Sequence, residues 1–360
     1  KSLLDRLLPV STPKLKIAFL YAKTPATSAW TYAHELGRLR LEQTFPEEVT
    51  TECYENLTRD LAEKAIADAI QKGCNIIFTT TPEFVQASVQ AAIAHPEVKI
   101  LNCSLNTSHR YIRTYYARMY EAKFLMGAIA GAMAENGQLA YIADYPIFGT
   151  IANINAFAIG VKMVNPNATI QLEWTTVRSK QEILEDFKAN EVNLVSCLEM
   201  IVPNSPSRYF GLVNIEKDEP ENLTAVIWNW GALYKKLVET VQNGAWDSAG
   251  SDGVALNYWW GMSAGVVDFI CSPKVPVKTR QLVEFMQHQI MEGGFSPFSG
   301  ELYSQDGIVQ SDDNRSLTPE EIINMRWLAD NVNGSLPHWN KLNEDAKAVV
   351  EVQGVDNIEE

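Results

Sequence analysis

The stretch Ser28-Ala-Trp-Thr-Tyr-Ala-His-Glu35 follows an apolar segment, Lys16-Ile-Ala-Phe-Leu-Tyr21, which has the composition of a buried β-strand. The loop between them ends at Ser28, a preferred N-cap residue, so a helix is predicted to begin there. In open α/β sheets, the end of such a strand borders the crevice in which ligands bind. Trp30 is therefore a candidate for stacking on a flat ligand, and the alternative is that it only packs on the sheet edge.

The next segments continue the alternation of strand and helix. Strands are predicted at residues 50–54, 75–79 and 98–102, with helices at 60–71 and 82–94. Right-handed crossovers would join these strands into a parallel, doubly wound sheet. The strand ends then share one rim, on which we expect Ala22, residues 79–81, Asn102 and Ser104.

A second unit of the same kind follows. Its predicted strands are residues 138–143, 169–174, 193–197 and 209–213, and its predicted helices are residues 148–164 and 179–188. The connection at 198–208 contains two prolines and is too short for an ordinary crossover helix. Two αβα lobes in tandem imply a cleft between them, in which a small ligand would bind.

Composition excludes several classes of function. The chain has 360 residues, enough for two lobes, and its net charge of -14 argues against nucleic acid or an anionic membrane surface as partner. No apolar run is long enough to span a bilayer. Five cysteines without CxxC spacing indicate free thiols, which fit a reducing compartment best.

Signs of catalysis are lacking in the sequence. It has no GxGxxG, no P-loop lysine motif and no GxSxG, and its five histidines have no metal-ligand spacing. His34 beside Glu35 is better explained as a helix-surface or capping residue than as an acid–base pair. We therefore expect neither enzyme activity, nor a metal, nor a cofactor.

Six short motifs occur in order along the chain: SAWTYAHELGR at 28–38, RMYEAKFLMGAIAG at 118–131, INAFAIG at 154–160, WNWG at 228–231, YWWGM at 258–262 and PFSG at 297–300. Together they resemble the basic membrane protein family of ABC-transporter substrate-binding lipoproteins, which includes bacterial purine nucleoside receptors. The resemblance covers roughly residues 16–334.

This resemblance implies a type I periplasmic-binding-protein fold, in which two Rossmann-like αβα lobes are joined by three crossings at a hinge and close on one ligand. It also implies an extracytoplasmic, lipid-anchored receptor that holds a purine base or nucleoside and delivers it to an ABC permease. The ligand-binding residues predicted from the strand-end pattern and the resemblance are Trp30, Ser28, Asn102, Ser104, Tyr145, Trp174, Asn214, Trp230 and Trp260.

The expected division of the chain follows from the same reasoning. Residues 1–15 would be a linker, and lobe I would combine residues 16–135 with about 224–254 and 297–340. Lobe II would combine residues 136–223 with about 255–296, and residues 341–360 would form an acidic tail.

Two departures from the family pattern bear on the ligand. Family nucleoside receptors carry a Gly-Leu-Lys segment whose lysine contacts the sugar, whereas this chain has Gly261-Met-Ser263, which favours a free base or another flat heterocycle. The acidic residue expected after residues 209–213 is missing, and Asn214 is the nearest polar substitute. A cytoplasmic ligand-sensing domain of a regulatory protein is the alternative function, favoured by the free cysteines.

Overall fold

The computed structural model describes residues 12–105, 109–200, 202–248 and 257–355. The strands in this part of the chain are β1 (Leu15–Leu20), β2 (Val49–Tyr54), β3 (Ile76–Thr79), β4 (Lys99–Cys103), β5 (Arg113–Ala117), β6 (Gln138–Ala143), β7 (Thr169–Trp174), β8 (Leu194–Ser196), β9 (Leu212–Asn214), β10 (Glu221–Trp228), β11 (Asn257–Trp260), β12 (Val267–Cys271), β13 (Leu302–Ser304), β14 (Gly307–Gln310) and β15 (Val332–Asn333). The helices are α1 (Ala29–Thr44), α2 (Arg59–Gln71), α3 (Val85–Ala94), α4 (Tyr120–Met133), α5 (Thr150–Val164), α6 (Lys180–Ala189), α7 (Trp230–Gln242), α8 (Ala245–Ser248), α9 (Val277–Met291), α10 (Pro319–Ile323) and α11 (Glu344–Gln353).

The first sheet is parallel throughout, with strand order β11-β5-β4-β3-β1-β2. Its central strands are buried on both faces, as continuous apolar strands such as β1 and β3 require. Helix α7 joins this lobe by packing against α1, and the Tyr234 ring lies 5.0 Å from Phe19. The expected α/β class is confirmed.

The second sheet is mixed, with strand order β12-β10-β9-β8-β6-β7-β15. Strands β6, β7, β8 and β15 are parallel, whereas β9, β10 and β12 continue the sheet by antiparallel pairing. The antiparallel step from β8 to β9 follows from the connection at 198–208, which has no helix among its described residues to carry a parallel crossover.

In the described residues, the chain passes between the two sheets at three places. These are between β5 and α4, between β10 and α7, and between β11 and β12. The second and third crossings are joined by a hydrogen bond, in which the backbone N–H of Asn229 donates to the Val266 carbonyl oxygen at 2.8 Å. The Trp228-Asn-Trp230 and Tyr258–Gly261 motifs therefore lie in or beside the segments that join the lobes.

Several predicted boundaries are wrong. Residues 257–260 pair with the first sheet rather than the second, and residues 332–333 pair with the second rather than the first. Most of the supposed acidic tail that the structure describes is helix α11, capped by Asn343, whose buried face includes Ala346 and Val350. Of the expected linker, residues 1–11 lie outside the described part of the chain.

His34 was also misassigned. It is fully buried, its Nδ1 lies 2.6 Å from the hydroxyl of Tyr234, and its ring stacks on Trp230 at 4.4 Å. Burial lowers the pKa of this imidazole well below its ordinary value, so the ring is neutral at physiological pH. His34 therefore joins α1 to α7 inside lobe I.

Candidate ligand-binding cleft

A cleft of about 260 Å³ lies between the two lobes, at the ends of β1, β3 and β6. Parallel strands direct their carboxyl ends to one edge of a sheet, which explains why loops distant in sequence meet here. Lobe I contributes Ala22, Lys23, Ser28, Trp30, Thr80, Thr81, Glu83 and Tyr116; the other lining residues include Tyr141, Asp144, Tyr145, Phe148, Asn153, Leu198, Glu199, Met200, Trp228, Val349 and Gln353.

One wall of the cleft is aromatic. The Nε1–H of Trp30 donates to the carbonyl oxygen of Thr80 at 2.8 Å, which fixes the indole against the end of β3. Its ring lies 5.6 Å from Trp228 in an edge-to-face arrangement and 6.2 Å from Tyr116. Trp228 in turn stacks on Trp230 at 5.4 Å. The wall is therefore rigid and offers π surface to a planar ligand.

The opposite wall, from lobe II, carries Asp144 and Tyr145 directly after β6. Desolvation by the surrounding protein raises the pKa of Asp144 to about 6, although the Tyr145 backbone N–H donates to its Oδ1 at 2.7 Å and opposes the shift. Burial also raises the pKa of Glu83 across the cleft. These carboxyl groups supply acceptors for N–H groups of a ligand.

Beneath this wall lies a buried ion pair. Lys123 on α4 is 1% exposed, forms a salt bridge with Glu199 and donates to the Ser196 hydroxyl at 3.1 Å. Its Nζ also lies 4.9 Å from the ring centre of Tyr141. Because Glu199 and Tyr141 line the cleft, Lys123 holds two lining side chains in place from below.

Of the nine residues predicted to bind ligand, Ser28, Trp30 and Tyr145 line the cleft together. Ser28 is the N-cap of α1, where its Oγ accepts a hydrogen bond from the Thr31 backbone N–H at 3.2 Å. It therefore places the positive end of α1 beside the cleft.

The remaining six lie outside the cleft lining. Asn102 and Ser104 are buried, and the Asn102 Nδ2 donates to Thr79 Oγ1 and to the Thr81 carbonyl oxygen, each at 2.8 Å. Asn102 thus supports the rim from behind by fixing the end of β3. The sequence correctly placed it at a strand end but could not tell a lining residue from a supporting one.

The three tryptophans among these six contribute to packing or to the hydrogen bonds of the fold. Trp174 is buried and its Nε1–H donates to the Ser335 carbonyl oxygen at 2.9 Å. Trp230 is 1% exposed, enclosed between His34 and Trp228. Trp260 ends β11 at the third crossing, where its carbonyl oxygen accepts from the Arg118 backbone N–H at 2.7 Å.

Asn214 is likewise not part of the cleft. It ends β9, and its Oδ1 accepts a hydrogen bond from the Glu216 backbone N–H at 2.9 Å, which closes a local turn. Turns of this kind are a frequent role for asparagine after a strand.

Sequence reasoning missed Asp144, Glu199, Trp228, Val349 and Gln353 as lining residues. Asp144 follows β6 directly, so the rule that strand ends border the ligand crevice would have found it. In the WNWG motif, the predicted ligand-binding residue was Trp230 rather than Trp228. For Val349 and Gln353, no local signal indicates that α11 returns to the cleft.

Comparison with known proteins identifies the family. A family model described as "Bmp: ABC transporter substrate-binding protein PnrA-like" matches residues 14–192. The chain belongs to this family. It is 27% identical over 339 residues to a purine-binding protein of Brucella abortus, an alignment that covers 90% of this chain and 94% of the relative.

Solved structures share the fold of this Bmp-family protein. A solute-binding protein of an ABC transporter system from Conexibacter woesei has a TM-score of 0.59 at 12% identity, covering 78% of this chain and 98% of that one. A transcriptional activator from Bacillus halodurans has a TM-score of 0.61 at 16% identity, covering 78% and 99%. At such identities the two structures show the fold alone.

The family is one of extracytoplasmic ABC solute-binding proteins, which bind a small-molecule ligand and deliver it to a permease. The Bmp family is one of binding proteins rather than enzymes. Over the described residues, no helix has both the length and the apolarity needed to cross a membrane. No group of three or more His, Cys, Asp or Glu suited to a metal occurs in that same part of the chain.

Proposed function

We propose that the protein captures a purine base in the cleft between its lobes and delivers it to an ABC permease. The observation that carries this proposal is the pairing of a fixed aromatic wall, Trp30 with Trp228, with an acceptor wall at Asp144. A purine matches both, since it has a flat π face and N–H groups at its edge. The purine-binding relative from Brucella abortus supports the same ligand class.

A free base is favoured over a nucleoside. The segment at 261–263 lacks the lysine that contacts the sugar in family nucleoside receptors, and the Met262 backbone N–H donates instead to Glu121 Oε1 at 2.8 Å, among the segments that join the lobes. The cleft volume of about 260 Å³ is at the small end for ligand sites.

A thermal-shift screen against adenine, guanine, hypoxanthine, xanthine, uracil, their nucleosides, amino acids and sugars tests the proposal. A ligand that binds only the native state raises the free energy of unfolding by about 2.7 kcal/mol at a hundred times its Kd, and the melting temperature rises with it. We expect a shift from one or more purine bases and a smaller one from the matching nucleosides. A panel in which only sugars or amino acids give a shift would contradict the purine assignment.

Binding is expected to depend on pH through Asp144. A ligand N–H that donates to this carboxylate requires the ionised form, which predominates above the pKa of about 6. Affinity should therefore be nearly constant above pH 7 and fall about tenfold by pH 5, where roughly a tenth of the groups remain ionised. Calorimetric titration at both pH values measures the change.

The variant Asp144→Asn is the control for this prediction. Its amide does not titrate, so affinity should vary little between pH 5 and pH 7.5. If the variant retains the tenfold fall, another group, such as Glu83, controls the pH dependence and the role given to Asp144 is incorrect.

We also propose that the protein is held at the membrane as a lipoprotein. The second candidate location, a cytoplasmic ligand sensor, is supported by the five free cysteines, of which Cys74, Cys103 and Cys197 are buried. Cell fractionation after metabolic labelling with a clickable fatty acid separates the two. Label and protein together in the membrane fraction support the receptor, and unlabelled protein in the cytosol supports the sensor.

A further inference from the structure

We infer that helix α11 is a third component of the binding site and that Gln353 at its end donates a hydrogen bond to the ligand. The inference rests on the proposed function, because it assigns a further ligand contact in the same cleft. Val349 and Gln353 both line that cleft, one turn apart on the helix face that is turned inward.

Helix α11 is anchored to lobe II at both of its ends. Its N-terminal anchor is the hydrogen bond from the Asn343 backbone N–H to the Thr176 carbonyl oxygen, at 2.8 Å. At its other end Gly354 forms an antiparallel bridge with Ile147, whose side chain packs with Val349 and Val350. This end is therefore held by backbone pairing and by buried apolar surface.

Contacts to lobe I are both polar and apolar. The Leu105 backbone N–H donates to the Gln353 side-chain Oε1 at 3.0 Å, and Arg59 donates to the Ala348 carbonyl oxygen at 2.7 Å. Val352 packs against the apolar cluster of lobe I. The helix thus links the two lobes in addition to the three crossings seen in the described residues.

Gln353 is the residue at which these links and the cleft converge. Its backbone carbonyl oxygen accepts from Phe148 in lobe II at 3.0 Å, while its side-chain Oε1 accepts from Leu105 in lobe I. Within the described residues, the hydrogen bond of this side-chain amide is the one that Oε1 accepts from Leu105, and none is donated by Nε2. With Oε1 fixed by Leu105, the orientation of the amide is set and Nε2 is the donor left for the cleft.

The chemistry of this donor complements that of Asp144. Asp144 offers an acceptor for a ligand N–H, whereas Gln353 offers an N–H for a ligand acceptor, such as a purine ring nitrogen or carbonyl oxygen. A ligand held by both residues would join lobe II to α11, and through Gln353 Oε1 to Leu105 of lobe I. Binding would then favour the arrangement in which the lobes are linked.

Two substitutions separate the roles of the amide. Gln353→Glu keeps an oxygen for the Leu105 N–H but, when ionised, replaces the donor by an acceptor, so binding of adenine and of hypoxanthine at pH 8 should weaken at least tenfold. Because Gln353 is buried, the introduced charge should also lower the melting temperature, and binding is therefore measured well below it. Gln353→Ala removes both groups and should also speed hydrogen exchange at the Leu105 amide. Gln43→Glu, the same substitution at an exposed position on α1, should change neither the affinity for the two bases nor the hydrogen exchange of the Leu105 amide.

The outcomes are distinguishable from failure of the proposed function. If adenine and hypoxanthine bind the wild type and Gln353→Glu binds them equally well, Gln353 does not contact the ligand and the inference is overturned. If no purine base of the thermal-shift panel binds the wild type, the proposed purine function fails; hydrogen exchange then still tests the link between lobes. Unchanged exchange of the Leu105 amide in Gln353→Ala would overturn that part as well.

Discussion

Gly160→Ala is expected to destabilise the protein by about 3 kcal/mol, although alanine is ordinarily the better helix former by up to about 1 kcal/mol. The reason is the close approach of α4 and α5. A Cβ at position 160 would lie 2.2 Å from the Phe124 carbonyl oxygen and 2.9 Å from the Ala128 backbone nitrogen. Both atoms belong to backbone and cannot move aside independently, so the helices would have to separate.

Gly127 is the equivalent position on α4, because a Cβ added there would lie 2.1 Å from the Phe157 carbonyl oxygen of α5. Gly127→Ala should therefore cost a similar amount, and the double variant should cost less than the sum because one separation makes room for both methyl groups. Gly294→Ala is the matched control: this exposed glycine does not have a positive φ, and the nearest contact of an added Cβ would be the flexible end of Gln289 at 3.4 Å. If thermal melts show that Gly294→Ala destabilises the protein as much as Gly160→Ala does, the packing argument is wrong.

The sequence predicted the fold well wherever a segment carries its own pattern. Strands β6 and β7 were predicted with the bounds that the structure shows, because β6 is an apolar run and β7 alternates polar and apolar residues. The prolines at 198–208 predicted that no ordinary crossover helix forms there. The described residues of this connection contain none, and the antiparallel pairing of β8 with β9 is the consequence.

The predictions failed where the partner of a segment comes from a distant part of the chain. Trp174 ends β7, and β15, which pairs with β7, lies more than 150 residues later. In α11, the acidic residues Glu344, Asp345 and Glu351 led to the prediction of an acidic tail, although the helix has a buried apolar face. Residues 257–260 pair with β5 of lobe I although the following strand belongs to lobe II, and no local pattern records that crossing.

The cleft itself was only partly predictable. Strand-end positions can be read from the sequence, which explains why Ser28, Trp30 and Tyr145 were found. Whether a polar side chain at a strand end points into the cleft or behind it depends on packing, as the buried Asn102 shows. Neighbouring tryptophans raise the same difficulty, since Trp228 lines the cleft and Trp230 fills the core.

Trp30→Ala is expected to weaken binding of the purine base by about five- to 150-fold. Stacking of a base on an aromatic ring contributes about 1–3 kcal/mol, which corresponds to roughly five- to 150-fold in affinity. The substitution should also lower stability, because the indole packs edge-to-face on His34 at 4.8 Å and on Trp230 at 5.5 Å. Calorimetric titration well below the melting temperature of the variant measures the affinity of the folded protein.

Trp30→Phe separates the ring from its hydrogen bond. Phenylalanine keeps a stacking face and loses the Nε1–H that donates to the Thr80 carbonyl oxygen, so most of the affinity should remain. Trp260→Ala is the control, because Trp260 lies at the third crossing outside the cleft lining and its removal should leave affinity nearly unchanged. If Trp260→Ala weakens binding as much as Trp30→Ala does, affinity is set by the joined lobes rather than by stacking. The aromatic wall would then have to be abandoned as the base-binding surface.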